Sequence, residues 1–106
     1  MSSMSDEEYR KLSRGEVSKN LVSLKKWKLV KDKLHREYVF KCFEDAVSFM
    51  IRSSLEVTKL DHHPEWFNVY NKVVIDLVTH DVSGISNYDF ILAKKIEVVA
   101  SQFKAR

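Results

Sequence analysis

The stretch "KLDHHPEWFNVYNKVVIDLVTH", residues 59–80, decides how this chain folds. It opens on a double histidine, His62-His63, followed by Pro64, the only proline in the sequence. A residue that precedes proline is pushed out of the helical region, so "TKLDHH" reads as a connection that leaves a helix and enters an extended segment. "EWFNVYN" and "VVIDLVTH" then read as two strands of a hairpin that turns at Asn71-Lys72, because asparagine bonds its own backbone and tolerates positive φ. The second strand, Val73 to Thr79, ends at His80.

Upstream, "WKLVKDKLHREYVFKCF" reads as a first hairpin with its turn at Asp32-Lys33. Leu34, Arg36, Tyr38, Phe40 and Cys42 form the face that meets the core. His35 falls on the other face and reads as a solvent-facing strand histidine without a role. From Phe43 the period changes to helical. Phe43, Val47, Met50, Ile51, Ser54 and Leu55 predict a helix over about residues 44–57 with that stripe as core. Downstream of Gly84, Ser86 and Asp89 make a capping box for a last helix with the stripe Tyr88, Leu92, Ile96, Val99 and Phe103. At the N-terminus, Ser5 and Glu8 suggest another capping box and a helix to about Arg14, which Gly15 interrupts. Val17, Leu21 and Leu24 suggest a second helical piece.

The order α-β-β-α-β-β-α, without parallel-crossover signals, predicts an α+β fold: a four-stranded antiparallel sheet with three helices packed on one face. At 106 residues it reads as a single domain, 1–106.

Composition narrows the function classes. No apolar run approaches the length of a membrane span, and the start resembles neither a secretory signal nor a transit peptide, so the expectation is a soluble cytoplasmic protein. Cys42 is the only cysteine, which rules out an internal disulfide and a thiolate metal cluster and reads as a small buried hydrophobe. Residues 1–41 hold eleven Lys/Arg against six Asp/Glu, but the lysines are scattered and no recognition helix or RNA-binding signature accompanies them. Direct nucleic-acid binding is not expected.

Hairpin geometry brings His62, His63 and His80 to one rim of the sheet, with Asp61 and Asp81 beside them and Asp89 in reach. Three readings stay open: a proton-transfer site, hydrogen-bonded strand ends, and a metal centre. Imidazole titrates near ~6.5 and can give or take protons at neutral pH. Adjacent residues of an extended segment point to opposite faces, which weighs against His62 and His63 sharing an ion, and no HExxH spacing is present. Pro64 fixes the backbone after the pair, and Trp66 or Phe67 offers a flat apolar wall suited to a planar heterocycle. No nucleophile-elbow motif supports hydrolysis of the Ser-His-Asp kind.

At these residues the chain closely resembles the pterin-4a-carbinolamine dehydratase family. "KLDHHPEWFNVYNKV", then "THD", "SGIS" and Asp89 carry the likeness, which runs over about residues 38–103. The resemblance implies the fold just described and dehydration of 4a-hydroxytetrahydrobiopterin to quinonoid dihydrobiopterin, a lyase step in recycling tetrahydrobiopterin, without metal or organic cofactor. It implies His62 and His80 as the acid/base pair, with His63 positioning the pterin and contributing to catalysis. Asp61, Val78, Thr79 and Asp81 match positions that line the pterin, Asp89 orients a histidine, and Pro64 and Trp66 shape the site. Two departures stand out: Thr58 where members often have Glu, and Asp81 in place of a frequent Glu. Members form homodimers or homotetramers. Some animal members are dimerisation cofactors of a homeodomain transcription factor through a helical surface. That non-catalytic role is the alternative function, and it adds the nucleus to the cytoplasm as a compartment.

Overall fold

The computed structural model describes residues 10–106. The expected capping box at Ser5 and Glu8 lies outside the described residues. The elements are α1 (Arg14–Leu21), β1 (Lys28–Val30), β2 (Lys33–Val39), α2 (Phe43–Leu60), β3 (Glu65–Val69), β4 (Lys72–Leu77) and α3 (Asn87–Gln102), with a 3-10 turn at His80–Val82. Every strand pairing is antiparallel, in the order β1-β2-β4-β3. The fold is the expected α+β arrangement. Its strand order follows from composition. β4 carries a nearly unbroken apolar run, Val73-Val74-Ile75, and takes a central place, whereas β3 alternates exposed and half-buried residues and takes an edge.

Both hairpin turns sit one residue earlier than expected. Val30 pairs with Lys33 and Val69 with Lys72, so the turns are Lys31-Asp32 and Tyr70-Asn71. Lys31 and Asp32 both adopt positive φ, 51° and 62°, as does Tyr70 at 49°. Two-residue hairpins need that handedness to match the twist of their strands.

The core gathers Leu34, Tyr38 and Phe40 from β2 and its end, Val73, Ile75 and Leu77 from β4, and the buried faces of α2 and α3. The α3 stripe is as expected, with Tyr88, Leu92, Ile96 and Val99 buried. In α2 it is not. The buried residues are Ala46, Phe49, Ser53, Val57 and Leu60, while Phe43, Ile51 and Leu55 are 47%, 60% and 56% exposed. Ala46 and Ser53 allow a close approach to the rest of the core, Phe49, Val57 and Leu60 fill the space beside them, and Phe43, Ile51 and Leu55 stand outward. α2 also runs three residues further, so Thr58-Lys59-Leu60 is helix and not connection. Cys42 is the half-buried residue that precedes α2, not a core strand residue. Gly15 does not interrupt a helix. It lies in the first turn of α1, whose capping box is Ser13 with Glu16.

Glu97 ties α3 to the sheet. Its Oε1 accepts from Trp27 Nε1 (2.9 Å), from Arg36 Nε (3.2 Å) and from the Tyr38 hydroxyl. Burial, reinforced by the Glu97 carboxylate, pushes the Tyr38 hydroxyl well above its ordinary value, so it stays a donor.

His35 is not idle. Its Nδ1 lies 2.8 Å from Asp76 Oδ1 and its Nε2 3.0 Å from Glu37 Oε2, on the sheet face opposite the core. Partial burial works to lower its pKa, but the hydrogen bonds to Asp76 and Glu37 and their charges win, and the net shift is upward. A raised folded-state pKa gives stability that is complete below the ordinary value and lost as pH rises through the folded one. His35→Gln should therefore cost more stability at about pH 5.5 than at about pH 8.5, either side of an ordinary value near 6.5. Urea unfolding at the two pH values measures this, and equal costs would sink the idea.

Candidate active site

The site is built where α2 stops. Asp61 takes the left-handed conformation (φ 54°, ψ 44°), a geometry that aspartate tolerates better than most residues. Asp61 N bonds Thr58 O at 3.2 Å and His62 N bonds Val57 O at 3.3 Å, the paired bonds that end a helix at such a residue. The chain then leaves through His63 and Pro64 into β3. As alternation predicts, the two histidines part company: His62 is 6% exposed and His63 faces solvent.

The opposite wall comes from the chain after β4. Thr79 N bonds Gly84 O at 2.8 Å, closing a small loop around the turn His80–Val82. His80 therefore begins a 3-10 turn and does not end a strand. The paired ladder stops at Glu65 and Asp76, with Trp66 opposite Ile75 and not Leu77.

Behind these walls lies a buried polar relay. His62 Nε2 is 2.6 Å from Asp89 Oδ1, and Asp89 is fully buried. Asp89 Oδ2 accepts from Thr79 Oγ1 (2.8 Å) and from Ser86 N (2.9 Å). Thr79 spends its one hydroxyl hydrogen on Asp89, so at 2.6 Å it accepts from the Ser86 hydroxyl. Ser86 Oγ in turn accepts from Tyr88 N at 3.1 Å. The capping box of α3 is thus also the anchor of the histidine: Asp89 caps the helix with one oxygen and grips His62 with the other. The Tyr88 ring stands edge-on to His62, with centroids 5.8 Å apart. A carboxylate that accepts several charge-assisted bonds holds an imidazole in one orientation, which is what proton transfer needs.

An open cavity of about 190 Å³ is lined by Asp61, His62, His63, Val78, Thr79, His80 and Asp81. Seven of the ten expected site residues meet there. Asp89 stands one layer behind, through His62 and Thr79. Pro64 and Trp66 do not line it: Pro64 directs the chain into β3, and Trp66 packs half-buried against the core. A larger groove of about 670 Å³, between α1, the β1–β2 turn and residues 83–85, holds no histidine. Sequence reasoning missed four residues. Ser86 and Tyr88 were visible only as a cap and a core residue. Glu65 and Lys33 make the outer rim: Glu65 Oε2 is 3.5 Å from His80 Nε2, and Glu65 Oε1 is 2.6 Å from Lys33 Nζ. The Lys33 ammonium, with a smaller part from His80, holds the Glu65 carboxyl below the usual range. Among the described residues, no group of three or more His, Cys, Asp or Glu is arranged to hold a metal ion, and no helix is long and apolar enough to cross a membrane.

The chain is similar to known proteins in sequence and in fold. Residues 10–99 match the family described as pterin 4 alpha carbinolamine dehydratase. A relative from Solibacter usitatus, provisionally named pterin-4-alpha-carbinolamine dehydratase, is 47% identical over 91 residues, which cover 86% of this chain and 96% of the relative. One of the same provisional name from Chelativorans sp. is 43% identical, covering 88% and 97%. A crystal structure described as a transcriptional coactivator/pterin dehydratase from Brucella melitensis superposes with a TM-score of 0.83 at 38% identity, covering 86% of this chain and 99% of that one.

Proposed function

We propose that this chain, which belongs to the pterin 4 alpha carbinolamine dehydratase family, dehydrates 4a-hydroxytetrahydrobiopterin to quinonoid dihydrobiopterin by histidine acid/base catalysis. The observation that carries the reading is His62, gripped at 2.6 Å by the buried Asp89, sharing one cavity with His63 and His80. The elimination needs one proton delivered and one removed. The 4a-hydroxyl is protonated and leaves as water, the N5 proton goes to a base, and the N5–H electron pair forms the C4a=N5 double bond. The C4a–O bond pair departs with the water and no oxidant or reductant takes part, so the step needs only an acid and a base. His62 and His80 serve as that pair, and His63, exposed on the same cavity, positions the pterin and contributes to catalysis. Asp61, Val78, Thr79 and Asp81 form the remaining wall, while Pro64 and Trp66 act from outside it by holding the chain and the sheet edge in place.

The experiment is the decay of carbinolamine generated by an aromatic amino-acid hydroxylase, followed through quinonoid dihydropterin formation. The chain should accelerate it beyond the spontaneous rate. Decay at the uncatalysed rate would remove the enzyme reading.

A second reading concerns partners. The outward row Phe43, Ile51 and Leu55 on α2, with Val98 on α3 61% exposed, supports self-association into a dimer or tetramer. The same face is the one a transcription-factor partner would use in the cofactor role, in the nucleus; the dehydratase works in the cytoplasm, in tetrahydrobiopterin recycling. Ile51→Glu with Leu55→Glu should lower the mass seen by sedimentation while leaving the fold intact. An unchanged mass would exclude α2 as the contact.

A further inference from the structure

We propose that Glu65 is a positioning residue for His80, and that Lys33 holds Glu65 in that task. The inference rests on the dehydratase reading for what His80 does, but not for how His80 is held. Glu65 opens β3 directly after Pro64, so its backbone is fixed by the ladder pair with Asp76. Its two oxygens are divided between partners. Oε1 meets Lys33 Nζ at 2.6 Å, and Oε2 faces His80 Nε2 at 3.5 Å.

Lys33 comes from β2, which is not a neighbour of β3. It sits one residue beyond the last β2–β4 pair, Leu34 with Leu77, and its ammonium passes the end of β4 to reach the edge strand. Three separate segments therefore meet at one rim: β2 through Lys33, β3 through Glu65, and the 3-10 turn through His80.

His80 needs such a hold. Its side chain is 79% exposed, whereas that of His62 is 7% exposed and pinned to Asp89. Packing fixes little of the His80 rotamer, so the carboxylate of Glu65 selects among its orientations. Lys33 does the same for Glu65, whose long side chain would otherwise sample several rotamers. The charged groups around His80 are Glu65 and Lys33 on this rim and Asp81 on its own turn, with Asp61 and His63 also lining the cavity. An exposed pair of this kind changes a rotamer population by a factor of about two to five, and a proton-transfer rate follows the population of the productive rotamer.

Two measurements test this. In the carbinolamine assay, Glu65→Ala should lower kcat about two- to fivefold with KM unchanged, the range expected for an exposed pair. Glu65→Gln, which keeps an oxygen acceptor, should recover part of the loss, and Glu65→Ala should add nothing to His80→Ala. In the ligand-free protein, three-bond couplings that report His80 χ1 should show one dominant rotamer in the wild type and averaging in Glu65→Ala. Equal losses in both histidine backgrounds, or identical couplings in the two proteins, overturn the inference. A wild type that fails to dehydrate while the couplings respond as expected removes the reaction and supports the positioning.

Discussion

His62→Ala is expected to lower kcat for carbinolamine dehydration by about 10²-fold or more, the range for losing a positioned acid or base. His80→Ala should fall in the same range. The two losses have different structural origins. His62 is buried in a relay that ends in Asp89, so its removal deletes an oriented proton carrier and leaves the carboxylate without that partner. His80 is exposed, and its removal deletes the proton carrier while disturbing no buried group. His62→Ala should therefore also lower the unfolding free energy, and His80→Ala should leave it nearly unchanged. Steady-state kinetics on both variants, with urea unfolding alongside, separate the two effects. The double variant should lose little more than the worse single one, because acid and base act on one transition state and their losses do not add. Strictly multiplicative losses would mean that the two histidines contribute independently to the transition state. A His62→Ala protein with near-normal kcat would end the acid/base assignment.

The parts of this molecule that were legible in sequence are those where one local signal had one solution. Ser86 and Asp89 stand at the spacing of a capping box, and α3 starts there. Pro64 follows a helix end, and β3 begins one residue later. The alternation from Leu34 to Phe40 has only one apolar phase, so its buried face could be read directly. α2 shows why other parts could not. Phe43, Val47, Ile51 and Leu55 repeat every four residues and outweigh Ala46, Phe49, Ser53 and Val57 in hydrophobicity, yet the second row faces the sheet. A helix with two apolar faces does not tell its own sequence which one meets the core, because that depends on how closely the backbone must approach its neighbour. Alanine and serine allow a close approach. The hairpin turns were displaced for a related reason: Lys31 and Tyr70 are poor turn residues by propensity, and the strand register forces them into positive φ. In the site, the histidines and Asp61 were visible as a cluster. Asp89 was in reach of their rim, and the family resemblance gave it a histidine to orient; the hydroxyl relay through Ser86 and Thr79 was not visible, because a cap already explained Ser86 and nothing in the spacing required a second role for it.

Its double role, as helix cap and as anchor of His62, makes Asp89 the other position where a single change should have a large effect, and the two obvious substitutions should fail differently. Asp89→Ala removes the acceptor for His62 Nε2, Thr79 Oγ1 and Ser86 N at once, in a region with no solvent access. Buried donors left unpaired cost about 1–3 kcal/mol each, so a loss of roughly 3 kcal/mol or more is expected, enough to threaten a marginal domain. Asp89→Asn keeps the shape. Its carbonyl oxygen can serve Thr79 and Ser86 where Oδ2 stood, which places the NH₂ group against His62 Nε2. A donor facing that nitrogen is satisfied only if Nε2 gives up its hydrogen, so the imidazole proton moves to Nδ1 and the ring presents the wrong tautomer. The fold should survive with a loss near 1–2 kcal/mol, since the relay keeps its hydrogen bonds. Activity should fall by about 10²-fold or more, because an inverted tautomer disables a histidine that geometry still holds in place. Imidazole ¹⁵N shifts of His62 report the tautomer directly. Reversed shifts in a folded, inactive Asp89→Asn protein would establish Asp89 as the residue that sets the proton on His62. Wild-type shifts with wild-type kcat would reduce Asp89 to a helix cap.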